Sequence, residues 1–134
     1  MNDSKNKNTP STEPTKAELE ILQVLWRHGP STVRFVNEEL NQQKREVNYS
    51  STLKLMQIMF EKGLVRRDES QMKHKYESAV EESVTKNLLL NRFVDTLYEG
   101  SATNLMLQLL GNQKTSKEEI EAIKALIRTL ESDQ

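Results

Sequence analysis

The sequence predicts a mainly α protein, three helices and one β-hairpin followed by a purely helical C-terminal region, and three observations carry that prediction. Four glycines and three prolines among 134 residues leave too little turn material for a many-stranded sandwich or barrel. Leu, Glu, Lys, Gln and Met are plentiful, and apolar residues recur three and four apart along most of the chain. Strand-like runs occur only as two short segments within residues 64–77. At 134 residues the chain amounts to one domain or two very small ones. With 35% hydrophobic and 29% charged residues, part of its apolar surface calls for a second copy.

Residues 1–14 are polar and aperiodic, a flexible arm outside the fold. Thr15 caps the first helix with Glu18 completing a capping box, and Leu19, Leu22, Leu25 and Trp26 recur at helical spacing until His28-Gly29-Pro30 ends it. Ser31 starts the second helix after a short connection, and its inner face carries Val33, Val36 and Leu40. Asn48-Tyr49-Ser50-Ser51-Thr52 opens a third helix that turns Thr52, Leu55, Met56, Met59 and Phe60 inward and stops at Gly63. Leu64–Asp68 and Lys73–Glu77 read as two strands around a Glu69–Met72 connection. Past Val80, helical spacing places Leu90, Phe93, Val94, Leu97 and Tyr98 on one face before Gly100 breaks the pattern. A shorter helix holds Leu105, Met106, Leu109 and Leu110 and ends at Gly111; the last opens on Ser116 and Glu119 and carries Ile120, Ile123, Ile127 and Leu130. Helices this short bury their apolar faces poorly alone. Residues 81–134 are therefore expected to form a dimerisation domain through Leu90, Phe93, Val94, Leu97, Leu105, Leu109, Ile120, Ile123 and Ile127.

The net charge of −1 hides a segregation: residues 43–75 sum to +4 and residues 81–134 to −3. One half thus suits a polyanion and the other does not. Enzyme chemistry finds few candidates. The absence of cysteine removes disulfides, thiolate metal sites and cysteine nucleophiles. His28 sits at a helix end, where capping or plain surface is the simplest reading, and His74 lies in a basic hairpin, where phosphate contact or solvation is simpler than metal binding because no second ligand stands at suitable spacing. The adjacent pairs Glu38-Glu39, Glu81-Glu82 and Glu118-Glu119 point about 100° apart on a helix. No catalytic residue, metal or cofactor is expected. No apolar run exceeds three residues, Leu88–Leu90 among them, and the N-terminus has no hydrophobic centre, so no membrane insertion and a cytoplasmic location are expected.

The order helix, helix, helix, hairpin fits one physical task. Two helices joined by a tight turn brace a third against the major groove of DNA while the hairpin reaches the phosphates, which is the winged helix-turn-helix plan. On this reading residues 15–80 bind DNA. Ser50 and Ser51 allow close approach, Lys54 adds a charge one turn later, Asn48 and Tyr49 set the start of the helix, and Arg66, Arg67, Lys73 and Lys75 meet phosphates. Two plainer readings stay open: Asn48, Ser50 and Ser51 only cap the helix, and the hairpin cations are merely solvated. Met56, Met59, Phe60 and Trp26 read as core.

The stretch Glu18-Leu19-Glu20-Ile21-Leu22-Gln23-Val24-Leu25-Trp26, then Gly29, then Ser31-Thr32-Val33-Arg34-Phe35-Val36, resembles the opening two helices of the penicillinase and methicillin-resistance repressors, the BlaI/MecI/CopY family of bacterial transcriptional regulators. Tyr49-Ser50-Ser51-Thr52-Leu53 and Glu61-Lys62-Gly63-Leu64-Val65 resemble the beginning and end of that family's recognition-helix segment. Residues 15–80 carry the likeness, and the C-terminal third follows the family layout with less specific sequence. The resemblance implies a homodimeric repressor on a palindromic double-stranded DNA operator. It further implies control through a membrane sensor metalloprotease pathway that ends in cleavage of the C-terminal region. Where penicillinase repressors carry an Asn-Phe cleavage bond, this chain aligns Gln108-Leu109, and Ile58 stands where relatives often have Arg. The copper-responsive branch needs a Cys-rich tail, which this chain lacks. The rival functions are a protein-interaction adaptor on a winged-helix scaffold and a nonspecific DNA binder.

Overall fold

The computed structural model describes residues 13–43, 45–112 and 116–132, so all but the last two residues of the expected arm lie outside the described residues. The elements are α1 (Lys16–His28), α2 (Val33–Gln43), α3 (Tyr49–Lys62), β1 (Val65–Asp68), β2 (Lys75–Ser78), α4 (Glu82–Tyr98), α5 (Ala102–Asn112) and α6 (Lys117–Ser132). This is a mainly α winged helix with a helical C-terminal region. It separates into two compact units divided between Thr85 and Lys86.

In the first unit α1 starts on a reciprocal cap: the Thr15 hydroxyl accepts the Glu18 amide at 3.2 Å, and Glu18 Oε1 accepts the Thr15 amide at 2.9 Å. Gly29 closes the helix with φ 79° and ψ −162°, a conformation open essentially only to glycine. Ser31, expected to start α2, is instead extended: its N–H donates to the Tyr76 carbonyl at 2.9 Å and its C=O accepts from the Tyr76 N–H at 2.8 Å. Helical geometry therefore begins one residue later, and the Thr32 hydroxyl takes the cap, accepting the Phe35 amide at 3.1 Å. Asn48 caps α3 through the Ser51 amide at 2.8 Å, and Gly63, left-handed at φ 86°, ends it.

The core is Ile21, Leu22 and Leu25 of α1, Val33, Val36 and Leu40 of α2, and Met56 and Met59 of α3, closed by Leu64, Val65 and Tyr76. Each of the large side chains there contributes roughly 1.5–3 kcal/mol through burial. Four residues expected in the core sit at its edge, and one of them, Leu55, is half-buried on the flank of the inner face of α3. Leu19 and Trp26 are partly buried because the inner face of α1 centres on Ile21 and Leu22. Trp26 instead donates from Nε1 to Ser78 Oγ at 3.0 Å and to the Val80 carbonyl at 3.1 Å, fastening α1 to the exit of the hairpin. Phe60 is 37% exposed, since the Thr52-Met56-Met59 stripe leaves it at the margin of the buried face. The one buried charge among the described core residues, Glu18, accepts from Lys62 Nζ at 2.8 and 2.9 Å.

β1 and β2 pair antiparallel with Val65 opposite Ser78 and Asp68 opposite Lys75. The strands are shorter than expected, and Lys73 and His74 fall in the connecting loop. Asp68 accepts the Ser70 amide at 2.9 Å, which turns the chain as soon as β1 ends.

In the second unit Glu99 and Gly100 both take positive φ and separate α4 from α5. Gly111, expected to end α5, lies inside it, and the helix runs to Asn112. The Ser116–Glu119 capping box forms as expected. None of the described residues from 86 onward is buried, and Phe93, Leu97, Leu109 and Ile127 are all exposed. Among the described residues no helix is long and apolar enough to cross a membrane.

Candidate nucleic-acid interface

Because α3 turns Thr52, Met56 and Met59 to the core, its opposite stripe is Ser50, Lys54, Gln57 and Glu61, all exposed. Ser51 flanks that stripe. Asn48 spends its carbonyl oxygen on the cap of its own helix, so its capping role is realised. Tyr49 is 41% exposed, and the Arg34 guanidinium of α2 lies 5.2 Å from its ring centroid.

In the hairpin, successive side chains point to opposite faces, which separates the two adjacent arginines. Arg66 shares the outer face with Asp68, Lys75 and Glu77; its Nε donates to Glu77 Oε2 at 3.2 Å and its Nη2 to the Ser78 carbonyl at 3.3 Å. Arg67 lies on the inner face beside Tyr76 and pairs with Glu69. The Tyr76 hydroxyl, and after it Glu69, hold the Arg67 guanidinium charged and push its pKa above the ordinary value. Asp68 is held below the usual carboxylate value chiefly by the Ser70 amide and hydroxyl, with Lys75 and His74 adding attraction.

A groove of about 460 Å³ runs between α3 and the wing. Its walls are Thr32, Val33 and Arg34 at the start of α2, Tyr49, Leu53 and Gln57 of α3, and Arg67, Met72, Lys73, His74 and Tyr76 of the hairpin. The structure thus gathers Tyr49, Arg67 and Lys73 around one groove and sets Ser50, Ser51 and Lys54 on the neighbouring helix face. Arg66 and Lys75 belong to the other face of the wing. Lys62, part of the basic segment, is neutralised by Glu18 and takes no part.

Arg34 and Gln57 escaped sequence reasoning. Gln57 was legible by counting seven positions on from Ser50; Arg34 was not, because only tertiary packing brings the start of α2 beside α3. His28 lies 3.4 Å from Glu39 Oε1 and edge-on to Phe35, away from this groove. Among the described residues no cluster of His, Asp or Glu could hold a metal ion. Cations, amide and hydroxyl groups along a helix face beside an open groove suit a phosphate chain lying next to base edges.

Comparison with known proteins gives the chain a family and a fold likeness. Residues 14–129 match the family described as Penicillinase repressor. Similar proteins include the methicillin resistance regulatory protein MecI of Mammaliicoccus sciuri, 25% identical over 115 residues that cover 86% of this chain and 93% of that one. The penicillinase repressor of Staphylococcus aureus is 22% identical over 118 residues, covering 88% and 93%. That of Bacillus licheniformis is 25% identical over 112 residues, covering 83% and 86%. Among solved structures, a MarR family protein from Bacillus stearothermophilus aligns at a TM-score of 0.51 and 20% identity over 96% of this chain and 83% of its own, a likeness of fold alone.

Proposed function

The chain belongs to the penicillinase repressor family of transcriptional repressors, and from that premise we propose that it is a homodimer that represses transcription by binding a palindromic double-stranded operator. It is a regulator and not an enzyme. The observation that carries the operator reading is the juxtaposition of the exposed Ser50-Lys54-Gln57 stripe with a cation-lined groove. In this reading α3 enters the major groove. Ser50, Ser51, Lys54 and Gln57 face base edges, Tyr49 and Asn48 fix the start of the helix, and Arg34, Lys73 and His74 hold the phosphate chain, with Arg66 and Lys75 on the outer flank of the wing.

Dimerisation is supported by the second unit, where Leu90, Phe93, Leu97, Leu109, Ile120 and Ile127 are exposed on amphipathic helices. A second copy covers such faces most simply, and residues 81–134 would then be the dimerisation domain. Val94, Leu105 and Ile123, half-buried already, complete that face. A cytoplasmic location and control by a membrane sensor metalloprotease pathway belong to the same proposal and rest on the family.

The test is a fluorescence-anisotropy titration against the promoter of the protein's own operon at two salt concentrations, with shuffled DNA as competitor. Tight promoter binding that survives excess shuffled DNA and falls steeply with salt is the expected result. Lys54→Ala should weaken it by about 1–3 kcal/mol if Lys54 reads a base. Equal, weak binding to both DNAs would leave a nonspecific binder or an adaptor.

A further inference from the structure

Of the hairpin cations, Arg67 is the one whose surroundings least resemble a phosphate contact. Its side chain is only 23% exposed, against 63% for Arg66. Its guanidinium carbon stands 4.2 Å from the centroid of the Phe60 ring on α3, well inside the range of a cation–π contact. Its charge is matched by Glu69 in the wing loop, and Tyr76 lies directly across the ladder. By contrast, Lys54 and Lys73 have no ion-pair partner among the described residues and remain open to an incoming anion. Phe60 offers the complementary oddity, a large aromatic residue left 37% exposed at the edge of the recognition helix.

We propose that Arg67 is a positioning residue, a strut between the recognition helix and the wing, and not an operator contact. The strut touches Phe60 in the last turn of α3 and Glu69 in the loop, with Tyr76 directly across the ladder on β2. It thereby sets the tilt of the wing and the width of the groove into which Lys73 and His74 project. The inference rests on the operator-binding reading above and assigns within it which cation grips DNA and which aims the grip.

The experiment compares Phe60→Leu, Phe60→Tyr, Arg67→Gln and the Phe60→Leu/Arg67→Gln double variant of the full chain, measuring promoter affinity across salt concentrations. Phe60→Leu removes no charge. If Arg67 works through the ring, Phe60→Leu and Arg67→Gln lower affinity by a similar factor, about 2- to 30-fold, with unchanged salt slope. The double variant is then no worse than either single, and Phe60→Tyr, which keeps the ring, behaves as the parent. If Arg67→Gln flattens the slope by about one unit while Phe60→Leu binds as the parent, the strut is overturned and Arg67 is a phosphate contact. A parent protein that does not prefer its promoter defeats the operator reading, and the strut is then decided without DNA. Hydrogen exchange at the amides of β1 and β2 should quicken by a similar factor in both single variants; exchange at the parent rate in both refutes it.

Discussion

Replacing Lys62 by Met isolates the energetics of the buried ion pair that ties α3 to α1. Glu18 is 3% exposed at the side chain and receives both the Lys62 ammonium, at 2.8 and 2.9 Å, and the Thr15 amide. Lys62→Met leaves that carboxylate buried without its cation. Losing one partner of a buried pair costs about 3–5 kcal/mol, and the lower end applies because Lys62 is itself 23% exposed, so about 3 kcal/mol is expected. The reverse change, Glu18→Gln, keeps an acceptor for the Thr15 amide and lets the lysine swing into water, so it should cost only about 1 kcal/mol. Urea unfolding followed by Trp26, the sole tryptophan, reads both variants at fixed chain concentration and reports on the first unit. A Lys62→Met midpoint equal to the parent's, or a larger loss in Glu18→Gln, would refute the argument that burial of the carboxylate, and not the bond count, sets the asymmetry.

Three other outcomes follow from the geometry. Gly29→Ala should lower stability by about 1–3 kcal/mol, seen as a lower Tm, because nothing crowds a Cβ there and the backbone conformation alone is at fault. If the proposed dimer forms through Leu97, Leu97→Asp should give a monomer in sedimentation equilibrium while the helical far-UV signal persists; a dimer of unchanged strength would remove Leu97 from the interface. The depressed pKa of Asp68 means that its stabilising effect is complete above the ordinary aspartate value and is lost as pH falls through the lower folded one. The wing should therefore loosen only below roughly pH 4, and the Ser70 amide shift, followed by NMR, should titrate there in the parent and not in Asp68→Asn.

The parts of the fold legible in the sequence are those whose causes are local. Thr15 with Glu18, Gly29, Asn48 and Gly63 declare helix ends through backbone geometry that a few neighbouring residues decide. Errors arose where a distant partner intervened. Ser31 looked like a cap but is claimed by Tyr76, 45 positions on by chain numbering. Phe60 reads as core, yet it lies at the margin of the buried face with the Arg67 guanidinium over its ring. The same division holds at the site. The polar start of α3 was readable, whereas Arg34 enters only through packing, and period-two geometry parts Arg66 from Arg67 once the register is fixed.

The bridge between Ser31 and Tyr76 anchors β2 to the connection between α1 and α2, the Leu64 amide, donating to the Met59 carbonyl, anchors β1 to α3, and the Ala79 amide, donating to the Leu64 carbonyl, ties the two legs together. With both legs pinned at their roots, lengthening or shortening the chain is tolerable only between residues 69 and 74. Any redesign of the wing's reach therefore has a six-residue segment in which to work, and insertions there would change how far it extends without disturbing where it is rooted.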